Sequence, residues 1–339
     1  MIRLQQRSLV TVADAQAALQ TALQIEFATL PPYLYALYTI RPGTNEAAAS
    51  RIKSIALQEM IHFCLDCNIL NALGGSPVIA KTGVVPTYPG PLPGDIGGFP
   101  VHLYPFSLDA IKQGVAIETP DGGAIDFPNL KPLALATGPT WTIGEFYKHL
   151  DEDCLAKLPA SAWHAGRNQI NDAQYFAGDL FEINNYDDAH RAIFDIISEG
   201  EGAAQSPLDF QSKFAHFYTF NEIVRNRVLT KANNPQGFAW GDPLGVDWTG
   251  AFPAITDPSQ HDFSKDSPAA QAAQAACNAQ FSTMLSELQR AVNGEPARLG
   301  SAVHAMFALR LEALNALTIP LVDGKSVAGP AFQFKALQA

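Results

Sequence analysis

At 339 residues, with 47% hydrophobic and 16% charged side chains, the chain carries enough apolar material for a sizeable core in one large domain or two. A net charge of −11, with Lys and Arg few and scattered, argues against nucleic-acid and anionic-membrane partners and points to small molecules or proteins; a small-molecule substrate is expected, with homo-oligomerisation left open. The N-terminal segment lacks an apolar core of signal-peptide length, and the longest hydrophobic stretch is broken by Glu26, Pro31 and Pro32, so the expected location is cytoplasmic.

The first predicted helix covers residues 13–39, opening near Asp14, with Leu19, Leu23, Phe27 and Leu30 at helical spacing and a kink expected at Pro31-Pro32. After the turn "RPGTNEAAAS" a second helix is expected over about 46–73, ended by Gly74-Gly75 ahead of Pro77. The two form an antiparallel hairpin. Cys64 and Cys67 lie inside that helical pattern with no second ligand pair, so they read as small packing residues rather than a redox or zinc motif. Residues 76 to about 140 are rich in Gly and Pro and read as a long ordered crossover with one short helix near 107–114, suited to serve as a lid. A helix over 142–158 and an irregular segment to about 186 follow. "YDDAHRAIFDIISEGEG" and "LDFQSKFAHFYTFNEIVRNRVL" then predict a second helical hairpin. Residues 231–267 are loop-rich, and two more helices, about 268–293 and 295–317, precede the tail. The strand signal is weak throughout.

Two helical hairpins joined by a long crossover define the expected fold class: mainly α, a ferritin-like four-helix bundle with an irregular crossover insertion and extra C-terminal helices. The bundle spans 1–230, including the insertion at about 76–187, and 231–339 is a loop plus helical extension packed on it within one structural domain.

The chemistry concentrates in "ALQEMIHFCLDCNILNALGG". Glu59, His62 and Asp66 share a stripe with Ile52, Ile55, Phe63 and Leu70, the side that periodicity marks as buried. A bare carboxylate there costs several kcal/mol, about 2–5, unless something compensates it. Glu59 and His62 form a Glu-x-x-His pair whose spacing puts an oxygen and an imidazole nitrogen side by side. Glu26 occupies an equivalent apolar stripe on the first helix, Glu199 follows Ala189, Ala192, Ile193 and Ile196, and His216 precedes Phe220 and Ile223. Any one of these could be satisfied by hydrogen bonds. A divalent cation accounts for three carboxylates and two imidazoles together, because its charge offsets their desolvation and keeps them deprotonated. Ligation without thiolate favours iron, or manganese, over structural zinc. Asp66 is placed to orient His62. Glu145 shares a face with Lys148, His149 and Glu152, and Glu222 pairs at i+3 with Arg225, so both read as solvated. Glu118 and Glu201, in a loop and at a helix end, carry no patterned support, and His102, His164 and His190 read as surface or loop residues.

"LQIEFATLPPYLYALY", "IALQEMIHFCLDCNILNALGGSP", "PTYPGPLPG", "TIGEFY", "IISEGEG", "FAHFYTFNEIV" and "PLVDGKSVAGPAFQF" together resemble ferritin-like proteins of the iminophenyl-pyruvate dimer synthase type, which include domains of enzymes that couple oxidised aromatic amino acids in violacein and rebeccamycin biosynthesis. The resemblance spans nearly the whole chain. It implies metal positions at Glu26, Glu59, His62, Glu199 and His216. Lys213, not a second Glu, stands three residues before His216, which implies a single iron or an asymmetric pair completed by Glu201, water or substrate.

The expected function is a non-haem iron oxidoreductase or oxidative-coupling enzyme acting on a small, aromatic or amino-acid-derived metabolite. Tyr33, Tyr35, Tyr38, Phe217 and Tyr218 are candidates to line its pocket, against the alternative that they are ordinary core. Two competing readings are an iron-storing or iron-sensing protein without turnover, and a metal-free bundle whose buried acids are paired internally.

Overall fold

In the computed structural model, residues 2–120, 139–171, 173–201, 207–234 and 237–336 are described, with the side chains of residues 173 and 201 outside that description. The chain is mainly helical. A two-stranded pairing of β1 (Leu4–Gln5) with β2 (Thr140–Trp141) ties the N-terminus to the segment that enters the second half of the bundle.

Helix α1 (Val12–Tyr38) starts at a capping box: the Thr11 hydroxyl accepts from the Asp14 amide, and the Asp14 carboxylate accepts from the Thr11 amide at 2.8 Å. It runs through Pro31 and Pro32. Pro32 has no N–H to give the Ala28 carbonyl, and the Tyr88 hydroxyl donates to that oxygen instead, at 2.7 Å. Helix α2 (Glu46–Ala72) ends where Gly74 adopts φ +78° and the Gly75 amide returns to the Leu70 carbonyl at 2.9 Å. As expected, α1 and α2 pair along their length.

The crossover carries α3 (Leu108–Ile117), capped by Ser107, which packs on α1 and on α7 (His216–Arg225). Residues 121–138 of the expected lid lie outside the described residues. The helix expected over 142–158 is shorter: α4 (Ile143–His149) passes into a π-helical turn, Leu150–Cys154, and a 3₁₀ turn, Leu155–Lys157. The short α5 (Ala173–Phe176) precedes α6 (Tyr186–Glu201).

The second hairpin departs most from expectation. Residues 208–215 are not helical, because the Asp209 carboxylate captures the Lys213 amide at 2.8 Å and Ser212 turns to φ +64°. Helix α7 therefore begins at His216 and stops at Asn226, which is left-handed at φ +51°. The chain then forms an antiparallel pair, β3 (Arg227–Lys231) with β4 (Phe238–Pro243), where no strand is predicted. Glu222 is buried. It pairs with Arg51 and accepts the Leu229 amide at 2.7 Å, which corrects the solvated Arg225 pairing read from spacing.

Helices α8 (Pro268–Ala291) and α9 (Arg298–Ala316) form a hairpin against the outer side of α1 and α2, and their buried residues belong to the same core cluster as the bundle. Asn71 donates to the Val292 carbonyl at 2.7 Å, and Gln289 accepts the Ile79 amide at 2.8 Å. Among the described residues no helix is long and apolar enough to cross a membrane.

Candidate metal centre

Glu26 on α1, Glu59 and His62 on α2, Glu118 at the C-cap of α3 and His216 at the start of α7 converge in the bundle, each less than a tenth exposed. The approach of α3 depends on Gly114. A Cβ there would lie 2.9 Å from the Phe220 ring, so glycine lets α3 settle against α7 and brings Glu118, one turn later, to His216.

The ligand atoms form two overlapping sets, Glu26–Glu59–His62 and Glu59–Glu118–His216, each with its atoms within 4.8 Å of one another. Glu59 belongs to both. His62 Nδ1 lies 3.6 Å from Glu26 Oε2 and 4.0 Å from Glu59 Oε1. His216 Nδ1 lies 2.9 Å from Glu59 Oε1 and 3.5 Å from Glu118 Oε2. The two imidazoles stack at 5.6 Å between centroids.

Every donor is held from behind. His62 Nε2 meets Glu199 Oε2 at 2.8 Å, and His216 Nε2 meets Gln58 Oε1 at 3.2 Å. Gln58 also hydrogen-bonds Glu199, so one polar chain fixes both rings with Nδ1 turned inward. Thr29 donates to Glu59 Oε2 at 2.7 Å, Tyr33 to Glu118 Oε1 at 2.5 Å, and Tyr147 to Glu26 Oε1 at 2.6 Å. Tyr147 also meets Asp66 Oδ2 at 2.7 Å.

Such a crowd of carboxylates carries unbalanced charge. Burial, with the neighbouring charges of Glu118 and Glu26, pushes Glu59 up to about 7. Burial opposes protonation of His216, but its contacts with Glu118 and Glu59 outweigh that and raise it to about 10. His62 rises likewise, burial being overcome by Glu199 and Glu26, and burial and the Glu26 charge hold Asp66 well above the usual carboxylate range. His216 Nδ1 is buried and close to Glu59 without the alignment of a hydrogen bond. An inward imidazole nitrogen lacking a hydrogen bond, faced by carboxylates, fits a cation between them better than a hydrogen-bonded network.

The model of the family described as ferritin-like matches residues 19–225. The chain belongs to the ferritin-like family. A ferritin-like protein from Caulobacter vibrioides shares its fold at a TM-score of 0.63 and 22% identity, over 96% of this chain and 100% of that one. No curated protein matches.

Within this ferritin-like chain Glu26, Glu59, His62 and His216 meet at the centre, whereas Glu199 stands behind His62. The side chain of Glu201 lies outside the described residues. Asp66 reaches the centre through Tyr147 and makes no hydrogen bond to His62 among the described contacts. Lys213 lies in the turn before α7, so no second Glu-x-x-His exists, and Glu118 supplies that carboxylate from α3. Of the aromatic candidates, Tyr33 touches the centre through Glu118. The Tyr35 hydroxyl donates to the Ile255 carbonyl, while Tyr38, Phe217 and Tyr218 are buried in the core. None of the five borders the cavity of about 40 Å³ beside the centre, which is walled by Ile25, Ile117, Ile143, Ile196 and Ile197. Glu145 caps α4 with Thr142 and is no part of the centre. Cys64 and Cys67 are buried free thiols and belong to neither ligand set. His102 and His190 pair with Asp257 and Asp151, at 2.6 Å each, away from the centre.

Sequence spacing gave no sign of Glu118, Gln58, Thr29 or Tyr147. Glu118 ends a helix whose register against α7 is tertiary, and Gln58 lies beside the pattern, one residue before Glu59.

Proposed function

We propose that this ferritin-like chain acts as a non-haem iron oxidoreductase on a small metabolite, and that Glu26, Glu59, His62, Glu118 and His216 would hold a pair of iron ions, manganese being the alternative. The observation that carries this reading is the sharing of one buried carboxylate by two carboxylate–imidazole sets. Donors restricted to carboxylate and imidazole favour iron or manganese. When bound, the pair supplies electrons and open coordination positions for the reduction of dioxygen.

The chain's own residues prepare the centre. Glu199 and Gln58 fix the imidazoles with Nδ1 inward, and Thr29, Tyr33 and Tyr147 hold the far oxygens of Glu59, Glu118 and Glu26. Five isoleucines wall the adjoining cavity, whose volume of about 40 Å³ admits a molecule of the size of dioxygen or about three waters. The motif resemblance to the iminophenyl-pyruvate dimer synthase type supports an aromatic 2-imino acid as the class of substrate.

The test is anaerobic loading with Fe(II), followed by metal analysis and oxygen uptake with 2-imino acids generated from aromatic amino acids. About two irons per chain and substrate-dependent oxygen uptake are expected. Iron without turnover would leave a storage or sensing protein, and absence of bound transition metal would end the reading.

A further inference from the structure

The α1–α2 hairpin has a second worked face. At roughly 100° per residue, Phe27, Pro31 and Leu34 stand about 80–140° around α1 from Glu26, and Leu57, Met60 and Cys64 stand about 100–160° around α2 from Glu59. These six line a cavity of about 130 Å³, closed on its other side by the α8–α9 hairpin. One layer of helix separates it from the metal centre, and the two cavities share no lining residue.

We propose that this cavity is a second ligand site, which takes an uncharged apolar molecule of about one aromatic ring or a short alkyl chain. Among the described residues its lining includes no charged side chain, so an ion entering it would lose its hydration without finding a partner. Apolar cavities of about 150 Å³ stay dry and accept benzene-sized guests, and this one is of that size. The chain has four methionines, and the three after Met1, namely Met60, Met284 and Met306, all line this cavity. All three are partly exposed, and unbranched thioethers adapt to guests of differing shape. Phe307 stands at the opening, 53% exposed, where a closed core would have buried it.

The test is calorimetric titration of the full-length protein with toluene. Saturable one-to-one binding in the submillimolar range is expected, with benzoate at least tenfold weaker. A302F, which fills the cavity from α9, should weaken toluene at least tenfold. M306K, which charges a partly exposed lining position and leaves the buried core intact, should weaken it at least fivefold even if A302F fails to fold. Non-saturable uptake, benzoate binding as tightly as toluene, or affinity unchanged within twofold in M306K would each overturn the site. So would sedimentation showing a dimer that M306K splits, with no toluene bound: the face would then be a contact between copies.

Discussion

Glu59 Oε1 and His216 Nδ1 meet at 2.9 Å across two helices, without the alignment of a hydrogen bond. The same oxygen lies 4.0 Å from His62 Nδ1, so one carboxylate faces both imidazoles. Removing its charge should therefore damage both ligand sets. In Glu59→Gln we expect bound iron to fall from about two per chain to less than one, whereas Glu26→Gln should lose only one. Metal analysis of protein loaded at equal free Fe(II) distinguishes the two, and equal losses in both variants would contradict a shared Glu59.

Metal uptake should discharge protons. In the metal-free chain His216 is raised to about 10, so at pH 7 its imidazole is protonated, and Glu59, pushed up to about 7, takes up a proton as pH falls through that range. A cation needs neutral imidazole and ionised carboxylate, so each bound proton must leave. Because His216 stays protonated below its raised value, falling pH strengthens the competitor. Apparent affinity should drop at least tenfold per pH unit from 8 to 6, with proton release seen by an indicator dye in weak buffer. Uptake without release would mean that the imidazoles do not ligate.

Much of this centre was legible because the costly residues betray themselves. Glu26, Glu59 and His62 interrupt long apolar stripes, and a stripe fixes which way a side chain points whatever packs against it. Glu118 offered no stripe. It ends α3, and only the Gly114–Phe220 approach brings it to His216. The helix expected over 208–229 forms only over His216–Arg225 for local reasons: Asp209 captures the Lys213 amide at its start, and Arg227, Val228 and Leu229 enter the strand pair with β4 at its end. For Glu222, i+3 spacing names an available partner, Arg225, whereas the fold supplies Arg51.

The α3–α7 contact makes a separable prediction. In Gly114→Ala the new methyl meets the Phe220 ring at 2.9 Å, and Phe220 packs edge-on against Tyr33 at 5.0 Å between centroids. Tyr33 in turn holds Glu118. The strain should reach the Glu59–Glu118–His216 set and spare the other, so that one of two irons is lost while the fold persists by circular dichroism. Tyr33→Phe should weaken the same ion by about 10–100-fold, the usual effect of losing a residue that orients a ligand. Loss of the ion held by Glu26 instead would show that the sets are not independent.

Tyr147 tests the opposite side. Its hydroxyl lies 2.6 Å from Glu26 Oε1 and 2.7 Å from Asp66 Oδ2, all three groups being buried. One O–H proton cannot serve two ionised acceptors at these distances. Burial and the Glu26 charge keep Asp66 well above the usual carboxylate range, which provides the second proton. In Tyr147→Phe, Glu26 and Asp66 lose that partner, at a cost of about 1–3 kcal/mol in stability. Iron at the Glu26–Glu59–His62 set should bind about 10–100-fold more weakly. Glu145→Ala, two residues earlier in the α4 capping box, should cost about 1 kcal/mol and leave metal binding unchanged. Thermal unfolding and Fe(II) titration of both variants separate the roles, and a Tyr147→Phe protein that loads like wild type would remove Tyr147 from the centre.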